Sequence, residues 1–364
     1  SVAVDSSGNV YTAGSFEDTV DFDPGAGTAN LTSNGDNDAF VSKLDSSGNY
    51  LWATSFGGGG DADHDYGHSV AVDSSGNVYT TGVFEGTADF DPGSGVAELT
   101  ANQASAATKP DVFVLKLDSS GNYLWARSFG STNNDYSYSV AVDSSGNVYT
   151  TGYFDGTVDF DPGEGTANLT ANDGYDVFVS KLDSSGNYLW AKSWGGGENS
   201  ADNDFGRSVA VDSSGNVYTT GYFSDTVDFD PGAGTTEFTS AGNYDVFVSK
   251  LDSSGNYLWA KSFGNSNNDW SYSVAVDSSG NVYATGRFQG TVDFDPGAGT
   301  TNLTSNGHTD AFVSKLDSSG DLVWVKSFGG TGNDFSESVA VDSSGNVYTT
   351  GFFNYTVDFD PGAG

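Results

Sequence analysis

Cysteine is absent from the 364 residues, and so is methionine, even at position 1. Without cysteine there can be no disulfide framework, no thiol nucleophile and no thiolate-held metal. Positive charge is scarce: 12 Lys and Arg stand against 49 Asp and Glu, a formal charge of −37. Such a surface repels nucleic-acid phosphates and anionic lipid, so neither is expected as a partner. No apolar run is long enough to span a bilayer as a helix, and membrane insertion is not expected. The three histidines, His64, His68 and His308, do not recur at equivalent places of the repeats. That scatter offers neither a zinc triad nor a Ser-His-Asp set.

What is plentiful is aromatic: 19 Tyr, 25 Phe and 7 Trp, enough core material to argue against a disordered polyanion. It is organised in repeats. The segment SVAVDSSGNVYTTG begins, with small variations, at Ser1, Ser69, Ser139, Ser208, Ser273 and Ser338. A second segment of the form DVFVSKLDSSGNYLWAKSFG begins at Asp38, Asp111, Asp176, Asp245 and Asp310. Between them lies a third, GTVDFDPGAGTTNLTS, whose sixth copy is cut short. Six first segments and five second segments leave the last repeat unfinished. Ser1 and Gly364 both fall inside a repeat, so the chain is expected to be a processed or partial stretch of something longer.

Each segment carries strand signals. In SVAVD the residues Val339 and Val341 alternate with Ser338 and Ala340, a period of two. DSSGN supplies a turn with Gly where positive φ is wanted, and NVYTTG returns as a second strand. DVFVSKLD and NYLWAKSFG make another hairpin around the same turn. In this second hairpin Phe178, Ser180 and Leu182 point one way while Val177, Val179 and Lys181 point the other. Each small sheet is therefore apolar on both faces and needs a neighbour on each side. Short sheets of this kind in tandem predict blades about a shared axis. The fold class expected is all-β: a β-propeller of near-identical four-stranded blades with an extra hairpin per blade. Six blades are represented, the sixth incomplete, with six or seven in the intact protein. The whole of 1–364 is read as one repeat domain, with repeats 1–68, 69–138, 139–207, 208–272, 273–337 and a partial 338–364. SVAVD is expected at the inner position, and the strand bearing Trp52, Trp125, Trp190, Trp259 and Trp324 further out. The DFDPG hairpin is expected to project as a decoration on one face or rim.

SVAVDSSGNVYTTGYF, TVDFDPGAGT and DVFVSKLDSSGNYLWAKSFGG together resemble the bacterial β-propeller repeat known as SBBP, over the whole chain. KLDSSGNYLWA is also similar to the quinoprotein blade in which a Trp locks neighbouring blades together. The SBBP resemblance implies a secreted or surface-attached bacterial propeller and no defined catalytic activity.

For metal chemistry the candidates are the paired acids of DFDPG: Asp21 and Asp23, Asp89 and Asp91, Asp159 and Asp161, Asp228 and Asp230, Asp293 and Asp295, Asp358 and Asp360. Residues two apart on a strand share a face, and two close carboxylates call for a cation such as calcium. The opposing reading is a solvated strand face ending in an Asp-initiated turn. Further acids recur before the first segment, at Asp65, Asp135, Asp204, Asp269 and Asp334, in loops that vary more than the rest. Loop variation on a rigid scaffold suits binding, whereas a carboxylate there also suits backbone groups at a blade crossing. Asn30, Asn168, Asn302 and Asn354 fit a glycosylation pattern, yet Glu98 and Glu237 replace it in two repeats. Catalysis is not expected, because an active site breaks repeat symmetry and this chain keeps it. The expected role is a non-enzymatic structural or adhesive element of a bacterial surface, sheath or filament, with partners among copies of itself, surface proteins or polysaccharide. The alternatives are a ligand-binding module using the variable loops or aromatics such as Tyr66, Tyr136 and Trp270, and a carbohydrate-active enzyme.

Overall fold

The computed structural model describes all residues except 61–63, 103–108, 173, 197–202 and 361–364. Parts of the variable loops GGGGDADHDYGH and GGGENSADNDFGR lie outside the described residues. Every regular element described is a β-strand, and no helix is long and apolar enough to cross a membrane. The chain divides into two compact units, Ser1–Thr170 with Val179–Ala191, and Ala171–Phe178 with Lys192–Gly364.

In the first unit the strands Val2–Val4, Val10–Asp21, Asn30–Leu44 and Tyr50–Gly58 pair antiparallel in chain order. Tyr66–Val72, Val78–Phe84, Asp111–Leu117 and Tyr123–Phe129 form a second blade in the same order. Tyr136–Val142 and Val148–Phe154 open a third. Asp176–Leu182 and Tyr188–Trp194, which follow the pattern of third and fourth strands, lie at the division between the units. The second unit holds the blade Phe205–Val211, Val217–Phe223, Asp245–Leu251, Tyr257–Phe263. It also holds the blade Trp270–Val276, Val282–Asp293, Asn302–Leu316, Leu322–Phe328, and the hairpin Phe335–Val341, Val347–Phe352. SVAVD thus sits at one edge of each complete blade and the Trp strand at the other.

The DSSGN turns follow from their residues. In each, the Asp amide bonds the Asn carbonyl and the Gly amide bonds the Asp carbonyl, as in Asp45–Asn49 at 2.8 and 2.9 Å. Asp45 Oδ1 accepts the amides of Ser47 and Asn49, and Oδ2 accepts the Asn49 side chain. Gly48 takes φ +81°, open to glycine at no steric cost. In the second blade the second and third strands are buried on both faces, every residue of Val78–Phe84 and Asp111–Leu117 included. Such burial is worth about 1.5–3 kcal/mol for each large apolar side chain.

Neighbouring blades are joined by recurring contacts. Trp52 Nε1 and Lys43 Nζ both donate to the Ser119 carbonyl in the next blade's turn, at 3.2 and 3.1 Å, and Lys43 also lies over Tyr11. Trp259 and Lys250 repeat this on Ser318 in the second unit. At the other edge, Ser69 Oγ accepts from the Val140 amide, and Ser273 Oγ from the Val339 amide.

The DFDPG hairpin does not simply project. Thr87–Asp89 pairs with Glu98–Thr100 and also with the preceding blade's fourth strand, Gly57 opposite Asp89 and Gly58 opposite Ala88. Gly196 and Val227 repeat the bridge in the second unit. The Phe of DFDPG is buried inward, Phe90, Phe160, Phe229 and Phe294 at 0–1% exposure. The insertion therefore seals the seam between blades, because its Phe would otherwise be stranded in water.

Candidate functional site

The candidate residues of this chain fall into three groups, the first two of them acids. In DFDPG, Asp21 Oδ1 accepts the amides of Asp23 and Ala29 at 3.0 and 2.8 Å, which hold its carboxyl below the usual range. Asp23 Oδ1 accepts the Gly25 amide at 2.7 Å, and its other oxygen lies 2.0 Å from where a Gly27 Cβ would stand. Asp89 and Asp91, Asp159 and Asp161, Asp228 and Asp230, and Asp293 and Asp295 repeat these bonds. Asp358 accepts from the Asp360 amide. Each pair thus shapes its own loop and leaves part of its carboxylate oxygen for solvent or a cation. Among the described residues no group of three or more His, Cys, Asp or Glu is placed to hold a metal ion.

The second role is less expected. The acid that begins each DVFVSKL-type segment of a third strand meets the acid that precedes the next blade's first strand, and both are buried. Asp38 and Asp65 are each 1% exposed, Asp111 and Asp135 each 1%, Asp245 and Asp269 5% and 1%, Asp310 and Asp334 0% and 2%. Asp176 and Asp204 occupy the equivalent places. The second acid of each pair is a staple. Asp135 Oδ2 accepts the Ser131 amide at 2.6 Å and Oδ1 the Asp155 amide at 3.1 Å, tying one blade's fourth strand to the end of the next blade's second strand. Asp269 does the same with Asn265 and Gln289, and Asp334 with Gly330 and Asn354. These amides would be orphans without it.

The first acid is held more sparsely. Asp111 Oδ2 accepts the Asn102 amide at 2.9 Å, while the buried Oδ1 has no hydrogen-bond partner among the described residues, and Asp38, Asp245 and Asp310 share that condition. Its carboxylate packs on a glycine: a Cβ on Gly130 would fall 2.3 Å from Asp111 Oδ1, and one on Gly57 would meet both Asp38 and Asp65. Burial is the leading cause that raises these acids, Asp111, Asp135 and Asp269 to about 7 and Asp245 to about 6. The neighbouring carboxylate adds to the rise of Asp111, Asp269 and Asp310. A carboxyl so enclosed favours its neutral form. Two acids side by side suggest glycoside chemistry, but these are shut away from any substrate, and what they can hold is a proton.

The third group comprises the residues that differ between repeats. On the first strand they alternate as Tyr66 and His68, Tyr136 and Tyr138, Phe205 and Arg207, Trp270 and Tyr272, Phe335 and Glu337. In the first unit His64, Tyr66, His68 and Tyr136 follow one another in near-parallel rings 6.0–6.2 Å apart, ending on Tyr153 at 5.1 Å. In the second unit Tyr222 stacks on Trp270 at 5.0 Å, and the Arg287 guanidinium lies between Trp270 and Phe335, 3.6 and 4.3 Å from their centroids. Arg207 lies over Tyr272 at 5.5 Å. Tyr66, Tyr136 and Trp270, read from sequence as candidate binding aromatics, are half-buried members of these stacks. The glycosylation candidates Asn30, Asn168, Asn302 and Asn354 are exposed.

Comparison with known proteins returns to the repeats. The chain is 25% identical over 98% of its length to an uncharacterised WD repeat-containing protein of Acanthamoeba polyphaga mimivirus, and covers 30% of that protein. It is 34% identical over 30% of its length to the regulatory protein FlaEY of Caulobacter vibrioides, covering 12% of it. Among solved structures, a protein of unknown function from Bacteroides caccae aligns over 79% of this chain and 89% of that one, at 11% identity and TM-score 0.31. Sqt1 from Chaetomium thermophilum aligns over 94% and 91%, at 12% identity and TM-score 0.36. The β-propeller repeat SBBP matches residues 51–83, 124–157, 196–222, 258–287 and 323–351. Four of the matches run from a Trp strand across the blade crossing into the next first hairpin, and the one at 196–222 begins just after its Trp strand; each takes in the stapling acid and leaves out its buried partner. With five such matches over blades of this form, the chain belongs to the SBBP β-propeller repeat family.

Proposed function

We propose that the chain is a non-enzymatic, extracellular scaffold of a structural or adhesive kind, presented on a bacterial surface. The observation that supports it is the fate of the repeated polar side chains. The acids of the DSSGN turns, the DFDPG loops and the blade crossings all bind backbone amides of the fold, and the paired acids that could suggest hydrolysis are buried. A reactive group free of structural duty is not offered by any repeated position among them. The charge of −37 suits a soluble outward-facing layer. The test is protease shaving of intact source cells, followed by mass spectrometry. Release of peptides from this chain supports the reading, and recovery only after lysis counts against it.

The ladder His64–Tyr66–His68–Tyr136 favours a second reading, a module that grips polysaccharide through half-buried aromatic rings. A glycan array with a clear hit that fades in Tyr136→Ala would favour it over the purely structural role.

A further inference from the structure

The fold treats the chain's three arginines differently. Arg127 commits its guanidinium to the scaffold, donating to the carbonyls of Ala126, Ser185 and Gly186 at 2.7–3.3 Å. Arg207 lies over Tyr272 in the second unit. Arg287, in the same unit, makes no hydrogen bond and no ion pair among the described residues, and its Nε is buried without an acceptor. In a chain with 49 Asp and Glu, a half-buried cation paired with none of them is an exception. A guanidinium carries its N–H donors in a planar fork, and leaving buried donors unmade is unfavourable.

Packing does not explain it. Tyr222, at the equivalent place one blade earlier, packs on Phe205 of its own first strand and on Trp270 of the next, at 4.9 and 5.0 Å. Arg287 has the same two neighbours, Trp270 in its own blade and Phe335 in the next, so its seat is complete on both sides. A ring would fill that seat as well, and what arginine adds is the fork. Two more polar atoms at the head of the adjoining first strand, Trp270 Nε1 and Asn268 Oδ1, are buried with no hydrogen-bond partner among the described residues. The ladder of the first unit is better satisfied: His64 Nδ1 meets the Asn37 side chain at 3.4 Å, and His68 Nδ1 the Ser137 carbonyl at 2.7 Å. Among these ring stacks the unmet donors and acceptor gather around Trp270.

We propose, on the footing of the polysaccharide reading, that Arg287 binds the carboxylate of an acidic sugar, with Arg207 beyond the Trp270–Tyr272 pair as a second cation. A guanidinium fork takes a carboxylate through two parallel N–H···O bonds, and the Trp270 and Phe335 rings on either side hold that fork in place. A donor and an acceptor at the head of the same strand favour a ligand with hydroxyls beside its carboxylate over a bare anion such as sulfate. The chain's negative charge does not forbid this. Glu337 acts on Arg287 without pairing with it, and exposed charges more than about 8 Å away are largely screened at about 0.15 M salt.

Titration calorimetry of the full chain with tetragalacturonate, in about 0.15 M salt, should show saturable binding. The carboxyl-reduced, neutral tetrasaccharide should bind at least about tenfold more weakly, about 1.4 kcal/mol, and so should tetragalacturonate to Arg287→Tyr. That variant carries the residue of the preceding blade, so the seam stays packed, which circular dichroism checks. Arg287→Lys keeps the charge without the fork and should not recover the affinity. Galacturonate run alongside separates two sources of the same chemistry: equal affinity for monomer and tetramer marks a free sugar acid, a tighter tetramer marks a polymer, and both support the site. Absence of saturable binding, equal binding of the neutral tetrasaccharide, or full affinity in Arg287→Tyr would overturn it. Binding of neutral glycans alone, lost in Tyr136→Ala, would overturn it too while leaving the polysaccharide reading intact.

Discussion

The turns and the blade crossings use the same residue to opposite ends. In DSSGN the aspartate is a wet carboxylate gathering donors: Asp45 and Asp118 take backbone and Asn side-chain N–H groups and are held below the usual carboxylate range. At the crossings Asp111 and Asp135 lie together out of water and are raised to about 7. A carboxylate near the surface with several donors stays charged, and one buried beside another acid keeps its proton. The comparison shows that composition alone misstates this molecule's charge, because part of its acid is neutral at pH 7 for structural reasons.

The heaviest blow to that contrast is Asp135→Ala. It strips one buried and one half-buried amide of their acceptor, and a loss of about 3 kcal/mol in urea unfolding is expected, against about 1 kcal/mol for Asp118→Ala in a turn. Equal losses would mean that burial does not separate the two classes. Next comes Gly130→Ala, whose Cβ would collide with Asp111; about 2–3 kcal/mol should be lost. Gly48→Ala, where nothing lies within 4 Å and only the positive φ resists, should lose about 1 kcal/mol. Pairing Gly130→Ala with Asp111→Ala should recover part of the loss, a coupling that a double-mutant cycle reads directly.

Acidity sharpens the same comparison. The crossing acids have folded values above the unfolded one. They cost nothing below about pH 4, and destabilise progressively as pH rises toward 7, where the unfolded chain ionises and the folded one resists. The turn acids have lowered values, so their contribution is present above about pH 4 and is lost as pH falls further. Stability should therefore peak at about pH 4 to 5, with about 2 kcal/mol gained per acid raised to about 7 when the pH is taken from 7 to 5. Denaturant midpoints at pH 8, 5 and 2.5 check it, and a flat profile from 8 to 5 would remove the neutral acids from the account. The smallest effect concerns calcium. Since the DFDPG acids already accept backbone amides, a chelator should move the melting temperature by less than about 1 °C. A larger drop would give those loops a metal.

The hairpins, the blade class and the place of the tryptophans on an edge strand were legible because they are local: alternation, a turn with a demanding glycine, and a period. The seam was not. DFDPG read as a projecting ornament because nothing in GTVDFDPGAG announces that its first strand will bond Gly57 and Gly58 of the blade before. Asp65 reads from the sequence as an acid that serves backbone groups at a blade crossing, and it accepts the Gly58 and Glu85 amides there. That Asp38 lies beside it does not follow from the sequence, since their meeting depends on how two blades abut. The glycine after each Trp strand was the available signal: Gly57, Gly130, Gly195, Gly264 and Gly329 recur at the end of a buried strand, where a turn is not required.

Near-identical blades pose an assembly problem, because interchangeable parts can dock out of sequence and be trapped there. The unlike residues on the first strands answer it. His68 finds Tyr136 and Tyr138, Arg207 finds Tyr272, and Arg287 finds Phe335, so each of these seams has a fit that the others lack. The rings that vary serve as addresses in a chain whose remaining text is almost all the same word.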